Sequence, residues 1–149
     1  MMNRIFDIAG SAMTAQSVRL NTVASNLANA QSAASSVDQV YRARQPVFHA
    51  IQQQALTEQQ GGWPAWMDEN AGAGAGVRVA GIVESDAPLE RRYEPGHPLA
   101  DGEGYVYYPN VNVVEQMTDM ISASRSFQVN VELMQSAKTM AQRLLTLGQ

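Results

Sequence analysis

The chain has 149 residues, a formal net charge of −4 and no cysteine, so it has the length of one ordinary domain and holds neither a disulfide framework nor a thiolate metal site. Its 10 Lys and Arg against 14 Asp and Glu form no basic stripe, which argues against nucleic acid as a partner. Leu, Ile, Val and Phe together supply 31 of the 149 residues, while 21 alanines raise the hydrophobic fraction to 45%, so the core is expected to be thin.

The opening "MMNRIFDIAGSAM" is interrupted by Asp7, Gly10 and Ser11 before it forms the apolar core of a cleaved signal. No uncharged apolar run approaches the ~18 residues of a membrane helix. Neither a Sec-type signal nor a direct membrane span is expected. Phe6, Met13, Leu20 and Leu27 recur every seven residues, with Ala9, Gln16, Val23 and Ala30 three residues after each, an a/d heptad stripe. A helix over residues 4–31 would be about 42 Å long. Within it, "LNTVASNLANAQS" keeps the spacing while carrying three asparagines. On the heptad wheel Asn26 flanks the seam, whereas Asn21 and Asn29 lie away from it.

The middle, residues 33–110, is rich in Pro and Gly and cannot be one helix. Short strands are expected in "VRVAGIVES", "LERRYEP" and, after the turn "DGEG", "GYVYYP". "NAGAGAG", 70–76, reads as a flexible linker within an insertion near 52–76. Its glycines do not make a phosphate loop, because no Lys-Ser/Thr follows and a strand, not a helix, comes next. His49 and His97, the two histidines, stand far apart and without ligand spacing, so no metal is expected. Glu84, Asp86, Glu90, Glu94, Asp101 and Glu103 crowd one region, yet Arg91 and Arg92 lie among them; solvated turns outweigh acid/base catalysis as a reading. Trp63 and Trp66 either close the insert locally or anchor a partner.

Pro109 ends the last strand, and Asn112 with Glu115 three residues on forms a capping-box pattern. The final helix is expected over 112–147, about 54 Å, with Gly148 as its stop. Val113, Met120, Phe127, Met134 and Ala141 form one row; Met117, Ser124, Val131, Lys138 and Leu145 form the second. A further apolar row, Leu133, Met140 and Leu147 with Ala137 and Leu144 beside it, exceeds what one partner helix covers. The expected fold is therefore mainly α with a small β insert: long N- and C-terminal helices (1–32 and 111–149) paired as an antiparallel coiled coil, their core completed by neighbouring subunits. The stripe methionines suit a surface that packs against non-identical neighbours.

"FDIAGSAMTAQSVRLNTVASNLANAQS" and "PNVNVVEQMTDMISASRSFQVNVELMQSAKTMAQRLLTLGQ" resemble the two ends of the bacterial flagellar basal-body rod proteins. Tyr41–Phe48, Tyr93–Asn112 and the ending "LTLGQ" extend the resemblance over most of the chain, the stretch from Gln52 to Gly76 fitting least. The family's N-terminal signature matches Ser25, Asn26, Leu27, Ala28 and Asn29, with Ser32 where threonine is more usual. This resemblance implies a non-enzymatic structural subunit of the proximal rod, without cofactors. It implies passage through the flagellar type III export apparatus without a cleaved signal, and polymerisation in the periplasm with other rod proteins and with copies of itself into a helical tube that transmits torque and carries export. It also turns the amides towards a neighbouring subunit. The interface is then expected at Phe6, Met13, Leu20, Val23, Asn26, Leu27 and Asn29 on the first helix, and at Met117, Met120, Phe127, Val131, Met134, Leu144 and Leu145 on the last. The alternatives are a non-polymerising coiled-coil adaptor of an export or secretion apparatus, and an enzyme housed in the acidic middle.

Overall fold

Two long helices frame residues 2–51 and 76–147, the part of the chain that the computed structural model describes. Trp63, Trp66 and most of the expected linker, together with Gly148, lie outside the described residues. Helix α1 spans Met2–Asn29 and α2 spans Val113–Leu147, within two residues of the expected limits. The helices contact each other and run in opposite directions, since Arg19 meets Asp119 while Asn26 meets Gln116. Asn112 starts α2 as expected, its Oδ1 accepting the Val114 and Glu115 N–H groups at 3.1 and 3.3 Å. The Glu115 carboxylate returns no bond to it among the described contacts, so the capping box is half formed.

The buried face of α1 carries Ala9, Ala15, Thr22, Val23 and Asn26. On α2 the expected row Met120, Phe127, Met134 is half-buried. The companion row differs from expectation: Met117 and Lys138 are exposed, and the buried residues are Gln116, Ala123 and Ala137. Gln116, Ala123, Asn130 and Ala137 stand seven apart, one residue round from the row that apolar character alone selects. Small and amide side chains let the two backbones come close, and a large residue would hold them apart.

Strands β1 (Arg44–Ala50) and β2 (Val77–Glu84) form an antiparallel ribbon with a register shift between Val47 and Phe48. Strand β1 escapes a reading by alternation because "RQPVFHA" has no period-2 pattern and contains Pro46; in a two-stranded ribbon every strand is an edge, so a missing N–H is tolerated. The ribbon lies along α1. Its base is fixed where the Val77 N–H donates to Ser11 Oγ at 3.1 Å. Gly76 takes φ +129° there, and a Cβ would collide with the Ser11 hydroxyl, so only glycine serves.

Strands β3 (Glu90–Tyr93) and β4 (Tyr105–Tyr108) form the second hairpin, where two of the expected strands lie. Val106 is fully buried, and Ala34 exchanges both backbone hydrogen bonds with Tyr107, tying the end of α1 to this hairpin. A cation–π contact lies on each face: Arg91 stacks 3.6 Å from the Tyr105 ring centre on one, and Arg92 4.7 Å from that of Tyr108 on the other. The hairpin tip closes on Asp101, whose Oδ1 accepts the Glu103 and Tyr105 N–H groups, both at 2.9 Å. The Tyr105 bond foremost, with Glu103, Arg91 and Gly104 adding to it, holds the Asp101 carboxyl below its ordinary range.

A depressed folded-state pKa means that Asp101 stabilises the turn fully above its unfolded value of about 3.9 and loses that contribution as pH falls through the lower folded value. The amide NMR signals of Glu103 and Tyr105 are therefore expected to move between pH 4 and acid. In Asp101→Asn, which keeps the acceptor but not the charge, they should stay put; identical titrations in both proteins would refute the assignment.

Candidate assembly interface

The amide stretch that strains an isolated helix has a defined purpose at Asn26, which is 1% exposed. Its Nδ2 donates to the Arg44 carbonyl at 2.8 Å and to Gln116 Oε1 at 2.9 Å. Its Oδ1 accepts the Tyr41 hydroxyl at 2.8 Å and the Arg44 N–H at 2.9 Å. Both donors and both acceptor positions are used, so one side chain joins α1, the chain entering β1, and α2. Because Tyr41 gives its proton to Asn26, the 3.2 Å contact between the Ser25 and Tyr41 hydroxyls has Ser25 as donor. All four of these Asn26 bonds are made inside the chain. Asn29 donates to the Ser25 carbonyl one turn back, and Asn21 is exposed.

Arg19 and Asp119, at 2.7 Å and only partly exposed, add a charged link between the helices. A second amide hub sits at Asn110: Oδ1 accepts the Ala43 N–H at 2.8 Å, while Nδ2 donates to the Ser85 and Ala87 carbonyls at 3.3 and 2.9 Å. Between α1 and the ribbon runs a trough of about 300 Å³ lined by Val18, Asn21, Thr22, Ser25, Arg44 and Ile82.

The other residues expected at an interface divide into three groups. Phe6, Met13, Leu20 and Leu27 are half-buried along one edge of α1, and Val23 is buried. Met120, Phe127, Val131 and Met134 are half-buried on α2. Met117 and Leu144 are exposed, and the side chain of Leu145 lies outside the description. Gln116, Tyr41, Asn110 and the Arg19–Asp119 pair were not singled out by sequence. The seven-residue recurrence of Gln116, Ala123, Asn130 and Ala137 was the available signal for the first.

The acidic middle is built into structural contacts. Glu84 pairs with Arg44 at 3.1 Å and Glu90 with Arg92 at 2.9 Å; Glu103 lies 4.0 Å from Arg91. Tyr108 donates to Glu94 at 3.2 Å, and burial, with the Glu94 charge, pushes its phenol up. Among the described residues no group of three or more His, Asp or Glu is placed to hold a metal ion, and no helix is long and apolar enough to cross a membrane.

Two terminal helices around a small β insert are thus tied together through the asparagine of "SNLA". Residues 6–31 match the family described as Flagella basal body rod protein, and residues 103–147 match the family described as Flagellar basal body rod FlgEFG protein C-terminal. Flagellar basal-body rod protein FlgC of Escherichia coli O6:H1 is 51% identical over 148 residues, covering 97% of this chain and 96% of its own. FlgC of Salmonella typhimurium is 50% identical over 146 residues with the same coverage, and FlgC of Borreliella burgdorferi 36% identical over 152 residues, covering 96% and 95%. The chain belongs to the FlgC family of flagellar basal-body rod proteins and is a structural subunit of the rod.

Asn26→Ala would leave Gln116, Tyr41 and both Arg44 backbone groups without their partner and is expected to cost about 2–4 kcal/mol, against about 1 kcal/mol for Tyr41→Phe. Urea midpoints of the purified chain measure both. A midpoint for Asn26→Ala equal to that of Tyr41→Phe would dismiss the hub.

Proposed function

We propose that the chain polymerises, with other rod proteins and copies of itself, into the proximal part of a helical tube that transmits torque and carries export. The observation that carries this reading is an inversion of side-chain size on α2. Gln116, Ala123 and Ala137 are its buried residues, with Met120, Phe127 and Met134 half-buried beside them, while Val114, Met117, Ile121, Val129, Leu133 and Met140 are exposed. At 100° per residue these outward positions span about half the circumference of the helix. A single partner helix covers a narrower arc, so several neighbours are needed, which favours a polymer over an adaptor that binds one helix.

In this reading residues 1–32 and 111–149 form the axial part and 33–110 the insert. The helix pair acts as an antiparallel coiled coil whose outer face packs on adjacent subunits. The Phe6, Met13, Leu20 and Leu27 edge of α1 meets them, as do Met117, Met120, Phe127, Val131, Met134, Leu144 and Leu145 on α2. Asn26 and Val23 support that surface from inside, with Asn29 beside them. The chain reaches the periplasm through the flagellar export apparatus without a cleaved signal. Head-to-tail contacts that do not close generate a helical tube.

A deletion strain is expected to be non-motile and to lack complete basal-body rods by electron microscopy; normal basal bodies would end the proposal. Leu27→Asp and Val131→Asp each place a carboxylate in an interface that excludes water. Both are expected to be secreted but absent from isolated basal bodies, whereas Trp63→Ala should be incorporated.

A further inference from the structure

The chain has eight methionines and no cysteine, so thioethers are its only sulfur. Five of them, Met13, Met117, Met120, Met134 and Met140, have described side chains, and these divide by exposure. Met13 on α1 and Met120 and Met134 on α2 are half-buried, whereas Met117 is 50% and Met140 59% exposed. Met120 and Met134 flank Phe127 at seven residues on either side, on a row partly covered within the chain. Met117 and Met140 stand off that row, in water.

A thioether is the softest nucleophile in a chain without thiols. A peroxide oxidises it in one two-electron step. A sulfur lone pair attacks one peroxide oxygen, the O–O bond breaks as an S–O bond forms, and the released hydroxide takes the proton of the transferred oxygen and leaves as water. The sulfoxide is polar, with a strong acceptor oxygen and no donor. The step requires the sulfur to meet the oxidant, so its rate follows exposure. Its consequence depends on the neighbours three and four residues away on the helix. Those of Met117 are Val113, Val114, Met120 and Ile121, all apolar, so a sulfoxide oxygen there has no donor side chain at these positions. Met140 has Ser136 and Arg143 at the same spacings, and either can donate to it.

We infer that Met117 and Met140 are the sulfoxidation sites of the unassembled chain among its described methionines, and that oxidation of Met117 above all bars the chain from assembly. The oxidant is of the peroxide class. A dithiol reductant reverses the step, two thiols becoming a disulfide while the oxygen leaves as water. In the single chain both sulfoxides stay in water and the fold is intact. Where a neighbouring subunit covers α2, the Met117 oxygen becomes an acceptor buried without a partner. The choice of sites stands on exposure alone, and the bar to assembly rests on the rod reading.

The purified full-length chain is treated with limiting hydrogen peroxide and digested, and each methionine peptide is followed by mass spectrometry. Met117 and Met140 are expected to gain oxygen several-fold faster than Met13, Met120 and Met134; equal rates, or a half-buried methionine in the lead, overturn the choice of sites. In isolated basal bodies given the same peroxide Met117 is expected to lose that lead, and an unchanged rate there overturns its burial in the assembly. Met117→Gln and Met140→Gln place a permanent polar side chain of similar length at each site. Both are expected to keep the parent chain's urea midpoint and to be secreted, with Met117→Gln depleted several-fold from isolated basal bodies and Met140→Gln less so. Normal incorporation of Met117→Gln, a greater loss for Met140→Gln, or a lowered midpoint for either overturns the inference. The rod reading fails separately, through normal basal bodies in the deletion strain.

Discussion

The placement of α1, β1 and α2 relative to one another depends on the four hydrogen bonds of Asn26. Asparagine in a helix interior costs about 0.7 kcal/mol relative to alanine, and four satisfied buried hydrogen bonds at about 1 kcal/mol net each outweigh that several-fold. The balance holds only while all partners are present. Removing Gln116 or the Arg44 backbone from the site leaves a buried amide unsatisfied, so α1, β1 and α2 are stabilised together or not at all. A helix that looks weak in isolation is thus strong in context, which is how a thin apolar core supports two long helices.

The same logic sets the β insert. A two-stranded ribbon is marginal in water by itself, and β1–β2 has no third strand. Polar pins hold it at both ends: Ser11 takes the Val77 N–H near the start of α1, and Asn26 takes both Arg44 backbone groups towards its end. Asn110 then fixes Ala43 and the chain leaving β2. Directional bonds specify one orientation along the helix, where apolar contact alone would allow sliding.

Legibility in the sequence follows which signal each element emits. The helix limits were readable because seven-residue recurrence and the Asn112 cap are local signals, and β2, β3 and β4 because Val and Tyr runs are bounded by turns. Strand β1 was not, since Pro46, Arg44 and His49 hide a strand whose stability comes from a partner 27 to 40 residues away. The rotation of the α2 seam was missed because apolar character identifies large residues, and the seam is made of small ones. The interface asparagines were seen as exceptional from sequence, yet their direction was not: whether an amide turns to its own chain or a neighbour depends on Tyr41, Arg44 and Gln116, which lie 15 to 90 residues distant.

Side-chain size along α2 connects this packing to assembly. Burying a Leu or Ile side chain stabilises a protein by about 1.5–3 kcal/mol, more than burying alanine, so a chain selected for monomer stability alone turns its large residues inward. Here Ala123 and Ala137 are buried on α2 while Val114, Ile121, Leu133 and Met140 are exposed. The helix pair is held by amide and charge, and in the proposed polymer the larger hydrophobic gain is left for contact with other subunits. In the proposed polymer stability rises with each subunit added, because every new contact would bury side chains that the single chain leaves in water. A rod that carries torque needs this distribution, since its resistance to twisting resides in contacts between subunits.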